Sequence, residues 1–267
     1  MTFNQLWRLP ARTGKRLLRI DLALVPVVLA AVLLGWELLV RWRGYPTFFL
    51  PGPGRVWARF IALLADGTLL LHVRMTLLEI FGGLALGLTV ATVIGYGVAK
   101  SPLLERILSP YIVASQAIPI VALAPLLVVW FGFGWVSKVL VCSLTVFFPA
   151  LVNTVVGIRT VEPDLRALMR SLQASRWQTF TMLEAPAALP VFFGGLKVAV
   201  TLAVIGAVVG EFVGADRGLG FLVNLARGIL DTPMLFVALF TLVFIALALY
   251  TAVALLEYVV LRWRRAV

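Results

Sequence analysis

The chain has 267 residues, 62% of them hydrophobic and 13% charged, with a formal net charge of +11 and a mean hydropathy of +1.04. Soluble domains are roughly half apolar, so this composition excludes an ordinary soluble fold and calls for an integral membrane protein. The basic residues flank apolar runs and lack the interleaved aromatics of a nucleic-acid surface, and the single cysteine, Cys142, excludes an internal disulfide and a cysteine zinc cluster.

A basic N-terminus, 1–21, carries Arg8, Arg12, Lys15, Arg16 and Arg19. Six apolar runs then come close to the ~20 residues that cross ~30 Å of hydrocarbon: about 22–40, 77–99, 111–131, 136–157, 191–213 and 234–257, followed by a basic tail, 258–267. The first ends at "WELLVRWRGY" without a small-x-small cleavage site, so it reads as a retained anchor and not a signal peptide. Lys and Arg are more frequent in the connections that lie inside when the N-terminus is cytoplasmic, which predicts both termini inside.

In the first outer connection, "PGPG" at Pro51–Gly54 precedes Trp57, Phe60, Ile61 and Leu64 at helical spacing, a short helix lying in the interface or packed on the bundle. His72, the only histidine, is placed in the same connection, before the second span. That span carries Gly83, Gly87, Ala91, Gly95 and Ala99 every four residues, a ridge that another helix can approach closely; Ala199, Ala203 and Ala207, with Gly206, Gly210 and Gly214, repeat the device in the fifth. Such ridges predict a tight bundle or a helix-packed dimer.

Polar residues within spans mark cavities or partners. The third span holds Ser115, Gln116 and Pro119 in "ASQAIPIVALAP", with Pro125 beyond, and reads as a kinked helix lining a pathway. Trp130, Phe131, Phe133 and Trp135 around two glycines suit an outer hairpin. Asn153 and Glu79 read as interhelical hydrogen bonds or pathway groups. Glu211, near the outer end of the fifth span, is either an interfacial carboxylate or part of an outer gate.

The connection 158–190 differs from its surroundings. Glu162, Pro163 and Asp164 make a helix start, and Leu165, Leu168, Met169 and Leu172 form one apolar stripe opposite Arg166, Arg170 and Gln173. The helix breaks at Gln173-Ala174-Ser175. Ser175 and Gln178 fit a capping box that opens a second helix, with Trp177 and Phe180 on its apolar side and Pro186 and Pro190 stopping or bending it. Two short helices meeting at an angle predict a rigid projection that another protein can grip.

The segment resembles the cytoplasmic "EAA" loop of ABC-importer permeases, with Ala167-Leu168-Met169 at the three leading positions, Gln173 at the glycine and Leu183-Glu184-Ala185-Pro186 at the end. "ASRWQTF", "PAALPVFFGGLKVA", "LPGPGRV", "AIPIVALAPLLVVWFGFGWVSKVL", "FFPALVNTVVGIRTVEPDL" and "VVGEFVGADRGLG" resemble the sulfonate, taurine, nitrate and thiamine-precursor branch. The resemblance implies an all-α integral membrane fold, a six-span type I importer permease with cytoplasmic coupling helices, in the bacterial inner membrane. It implies no cofactor in this chain, ATP and Mg being held by two partner ATPase subunits. The other implied partners are a second copy of the permease, a periplasmic or lipid-anchored solute-binding protein and a small-molecule substrate. The loop residues so assigned are Arg166, Ala167, Arg170, Gln173, Ala174, Ser175, Arg176, Trp177 and Phe180. Ala167 and Gln173 depart from the family's glutamate and glycine, so the glutamate's contact does not carry over.

The resemblance points first to permeases for thiamine pyrimidine precursors or riboflavin, with sulfonates and nitrate next. A secondary transporter would show ionisable pairs near mid-membrane or repeated halves. A membrane enzyme would gather His, Asp or Ser groups at one depth, and a nucleotide site would carry a P-loop. The sequence displays none of these signatures.

Overall fold

The computed structural model describes residues 11–262, with side chains from Pro26 onward. Arg8, the side chains of Arg12, Lys15, Arg16 and Arg19, and Arg264 and Arg265 of the basic tail lie outside the described residues. The chain runs as α1 (Ala11–Arg43), α2 (Pro53–Ala65), α3 (Thr68–Lys100), α4 (Pro102–Gln116), α5 (Ile120–Phe131), α6 (Trp135–Arg159), α7 (Pro163–Ser171), α8 (Arg176–Thr179), a π-helical turn (Phe180–Glu184), α9 (Ala185–Gly214), α10 (Leu219–Gly228) and α11 (Thr232–Val260). Among the described residues, four helical stretches are long and apolar enough to cross a bilayer: Thr68–Lys100, Trp135–Arg159, Arg176–Gly214 and Thr232–Val260. The pair α4–α5 adds a fifth if it counts as one bent span.

The core is a three-helix packing of α3, α6 and α9, and the small-residue ridges are its means of closure. A Cβ added to Gly87 would stand 2.7 Å from the Ser143 carbonyl oxygen, and one on Gly95 would stand 2.9 Å from Thr154 Cβ. From the other side, a Cβ on Gly206 would meet Thr145 Oγ1 at 2.7 Å. Cys142 is fully buried between the two ridges, its thiol donating to the Ala203 carbonyl at 3.3 Å. The ridges are therefore spent inside one subunit and are not free to pack against a second copy.

The third predicted span, 111–131, is not one kinked helix. α4 ends at Gln116, α5 begins at Ile120, and the two meet at 96°. Pro119 explains the break: its ring holds the preceding residue out of the helical region and it has no N–H to give, so it becomes the N-cap of α5 in an extended conformation (φ −64°, ψ 121°). Pro110 and Pro125 stay inside their helices.

Two further boundaries move. α3 starts at Thr68, so His72 is a buried helical residue and not a loop residue. Asp66 opens the helix by accepting the Thr68 N–H at 2.8 Å, a bond that holds its carboxyl below the usual range. α2 forms as the spacing predicts: Val56 and Leu63 are buried while Trp57, Ile61 and Leu64 are exposed. Arg59 ties it to the α10–α11 turn through Asp231 at 2.6 Å.

Candidate functional site

α7 is held at its ends and bare along its length. Glu162 is its N-cap, Pro163 takes the first helical position and Asp164 lies in the first turn, where the helix dipole favours an acid. None of its residues is buried. Of the predicted apolar stripe, Leu165, Leu168 and Leu172 are 42%, 53% and 67% exposed and face away from the bundle, while Met169 is half-buried. Exposed leucines on one side of a helix that also carries exposed Arg170 have the character of a contact surface.

The turn after α7 resolves the glycine question. Gln173 has φ +55°, the left-handed region that the family's glycine reaches without cost. The Gln173 N–H donates to the Arg170 carbonyl and the Ala174 N–H to the Met169 carbonyl, each at 3.0 Å. This pair of bonds is a complete Schellman motif, with the glutamine in the position that glycine prefers. The fold accepts the strain of a Cβ there, about 1–2 kcal/mol, and keeps the geometry.

The predicted capping box is present: Ser175 Oγ accepts the Gln178 N–H at 3.2 Å, and Gln178 Oε1 accepts the Ser175 N–H at 2.8 Å. The helix that it opens does not stop at Pro186 or Pro190. It continues through the π turn into α9, giving one helical stretch, Arg176–Gly214. In the π turn the Ala185 N–H reaches back to the Phe180 carbonyl. The wider turn comes just before Pro186, whose missing N–H would otherwise leave a gap in the ladder. Trp177, Arg176 and Ala167 stand exposed, Trp177 at 71%; Arg166, Ala174 and Phe180 are half-buried.

Glu184, at the end of the π turn, is completely buried. It pairs with Lys100 at the end of α3, accepts the Tyr96 hydroxyl at 3.2 Å and has Arg166 Nε at 3.9 Å. Arg166 in turn donates from Nη2 to the Ile158 carbonyl at 2.7 Å, in the last turn of α6. The sequence places Glu184 only at the end of the loop pattern and assigns no site role to it, to Tyr96 or to Lys100. The available signal was one carboxylate between apolar neighbours, facing a cation in the last turn of an earlier helix. Nearby, Arg159 and Glu105 make a two-pronged bridge between α6 and α4, exposed enough to contribute about 0–1 kcal/mol.

The pathway candidates do not converge. Ser115 Oγ and Gln116 Nε2 both donate to the Ile112 carbonyl, at 2.9 and 3.3 Å, on the last turn of α4. With Pro119 they mark the exposed break between α4 and α5. Asn153 donates to the Pro149 carbonyl of its own helix at 2.8 Å, so its bond is local and not interhelical.

Glu211 does not stand open to a surface. It is 1% exposed and satisfies the start of α10 together with two residues of α3. The Gly218 N–H donates to His72 Nδ1 at 2.9 Å, the Leu219 N–H to Thr76 Oγ1 at 2.8 Å and the Gly220 N–H to Glu211, while Thr76 donates to Glu211 Oε1 at 2.6 Å. A helix start needs its first donors satisfied, and three side chains distant in sequence do it here. Glu79 faces Lys138 of α6 at 3.3 Å, an interhelical ion pair in place of the predicted hydrogen bond; both residues are buried. Lys138 thus contributes no outer-surface charge.

The comparisons agree with this architecture. The family of binding-protein-dependent transport system inner membrane components matches residues 68–265. The riboflavin transport system permease protein of Chloroflexus aurantiacus is 48% identical, over 90% of this chain and 89% of its own length. The formylaminopyrimidine transport permease protein of Halalkalibacterium halodurans is 37% identical over 86% and 91%. A putative aliphatic sulfonates transport permease protein of Bacillus subtilis is 30% identical over 90% and 86%. An inward-facing MetNI methionine ABC transporter shares the fold, with a TM-score of 0.57 at 20% identity over 70% of this chain and 91% of that one. The chain belongs to the inner membrane components of binding-protein-dependent transport systems and is a permease subunit of an ABC importer.

Proposed function

We propose that the chain carries riboflavin or a pyrimidine precursor of thiamine across the bacterial inner membrane, working as one of two copies with both termini in the cytoplasm. Two ATPase subunits, which hold ATP and Mg, seat on the α7–α8 loop, and a periplasmic or lipid-anchored binding protein delivers the solute. The observation that carries the reading is the loop itself: a capped, strained turn fixes two helices whose leucines, Trp177 and flanking arginines Arg170 and Arg176 are left without cover by the bundle, while Arg166 ties the loop to it. The substrate class rests on the riboflavin and formylaminopyrimidine permeases being more similar than the sulfonate one.

Trp177 is the anchor in this reading, since an exposed aromatic entering a groove contributes about 2 kcal/mol or more. Trp177→Asp and Ser175→Trp should leave folded protein in the membrane and reduce both ATPase co-purification and ATP-dependent uptake by at least about tenfold. Normal uptake in both variants would sink the docking assignment. The substrate is tested on the cognate binding protein with riboflavin, formylaminopyrimidine and an aliphatic sulfonate. Binding of the sulfonate alone would overturn the substrate class and leave the permease assignment standing.

A further inference from the structure

The most completely enclosed carboxylate near the loop, Glu184, stands one step behind its most exposed segment. From Trp177 a series of contacts leads inward. The Trp177 ring lies 5.7 Å from Phe180, and Phe180 meets Tyr96 of α3 edge-on at 5.2 Å. Tyr96 donates to Glu184, and Glu184 takes Lys100 of α3 and Arg166 of α7 as charge partners. Arg166 closes the series on the Ile158 carbonyl of α6. One carboxylate is thus shared by α3, α7 and the base of α9, and one of its partners also holds α6.

We propose that Glu184 is a positioning residue for transport, the joint through which movement of the α7–α8 loop is passed to α3, α6 and α9. It rests on the reading of that loop as the ATPase seat. The loop has few other attachments to the bundle. α7 buries none of its residues, so a push on it reaches the bundle through its backbone ends and through Arg166. Those three helices close on one another through glycines that leave no room for a Cβ, so a force delivered at their shared carboxylate moves them together. Without the carboxylate, Arg166 and Lys100 repel each other and the loop can rock without carrying α3 with it.

The test separates docking from transmission. The permease is assembled with its ATPase in lipid nanodiscs, with a nitroxide on Phe133→Cys in the exposed α5–α6 turn; Cys142 is fully buried and takes no label. ATP hydrolysis and the change of the nitroxide spectrum on trapping with ATP and vanadate are measured together. Glu184→Gln and Lys100→Met should keep bound ATPase and hydrolysis within about twofold while the spectral change falls about fivefold or more, and the double variant should fall no further than the worse single one. Lys100→Arg should restore the change.

A full spectral change in either variant, additive losses in the double, or loss of ATPase binding in the variants each overturns the joint. In the last case Glu184 would be shaping the docking surface instead. If Glu184→Gln does not fold, Lys100→Met decides alone, because Lys100 is already 40% exposed. A wild-type complex that holds no ATPase, or shows no vanadate response, is a different failure: it removes the docking reading, and the joint with it.

Discussion

Gln173 carries a cost that its position makes measurable. At φ +55° its Cβ crowds the backbone, and two 3.0 Å hydrogen bonds hold it there because the same turn sets the angle between α7 and α8. The strain is local, since Gln173 is exposed and no contact depends on its side chain. Gln173→Gly should therefore stabilise the folded protein by about 1 kcal/mol, from release of the left-handed strain less the entropy glycine adds to the unfolded chain. A chain of this size should then melt about 2–4 °C higher, read as the midpoint of thermal unfolding in detergent. Gln173→Val, β-branched in the same region, should melt lower. An unchanged or lower midpoint for the glycine variant would mean that the left-handed turn is not populated.

At the scale of elements, periodicity in the sequence identified surfaces but not their partners. The Gly-Ala ridge of α3 was legible because a four-residue repeat of small side chains leaves one face of a helix bare. That it would close on α6 was not, because no local pattern in α6 announces the ridge's counterpart. The prolines misled in both directions. Pro119 breaks a span read as continuous, whereas Pro186 and Pro190 do not end a helix read as short, because the π turn at Phe180–Glu184 absorbs the first. The two glycines Gly87 and Gly97, on different faces of the same helix, test the packing. A Cβ at Gly87 would press on the Ser143 carbonyl at 2.7 Å, while one at Gly97 meets nothing within 4 Å. Gly87→Ala should cost about 1–3 kcal/mol from overpacking; Gly97→Ala should be neutral or gain up to about 1 kcal/mol from helix propensity. Similar melting of the two variants would contradict the α3–α6 contact.

For the whole molecule, two bare faces differ in what can cover them. α11 presents Phe244 and Leu247, and its exposed surface is hydrocarbon that lipid can wet without loss. The α4–α5 pair is different. It buries nothing along α4, presents Tyr111, Val113, Ile118 and Val121 at its surface, and places Ser115, Gln116 and a near right-angle break of the backbone between them. Backbone outside a helical ladder is not stable against acyl chains, where each unsatisfied polar group costs several kcal/mol, so this break needs protein or water against it. The two copies proposed above, facing each other across the α4–α5 breaks, would meet that need and leave a polar gap between them; on that reading Gln116 lies in the pathway and the dimer contact on the flanking apolar residues. Ile118→Cys should then form a disulfide between copies in membranes under mild oxidation. Buried Cys142 in the parent chain should form none, and Gln116→Cys should react with a charged, membrane-impermeant thiol reagent. Absence of the Ile118→Cys dimer together with an unreactive Gln116→Cys would place this face against something other than a second copy and water.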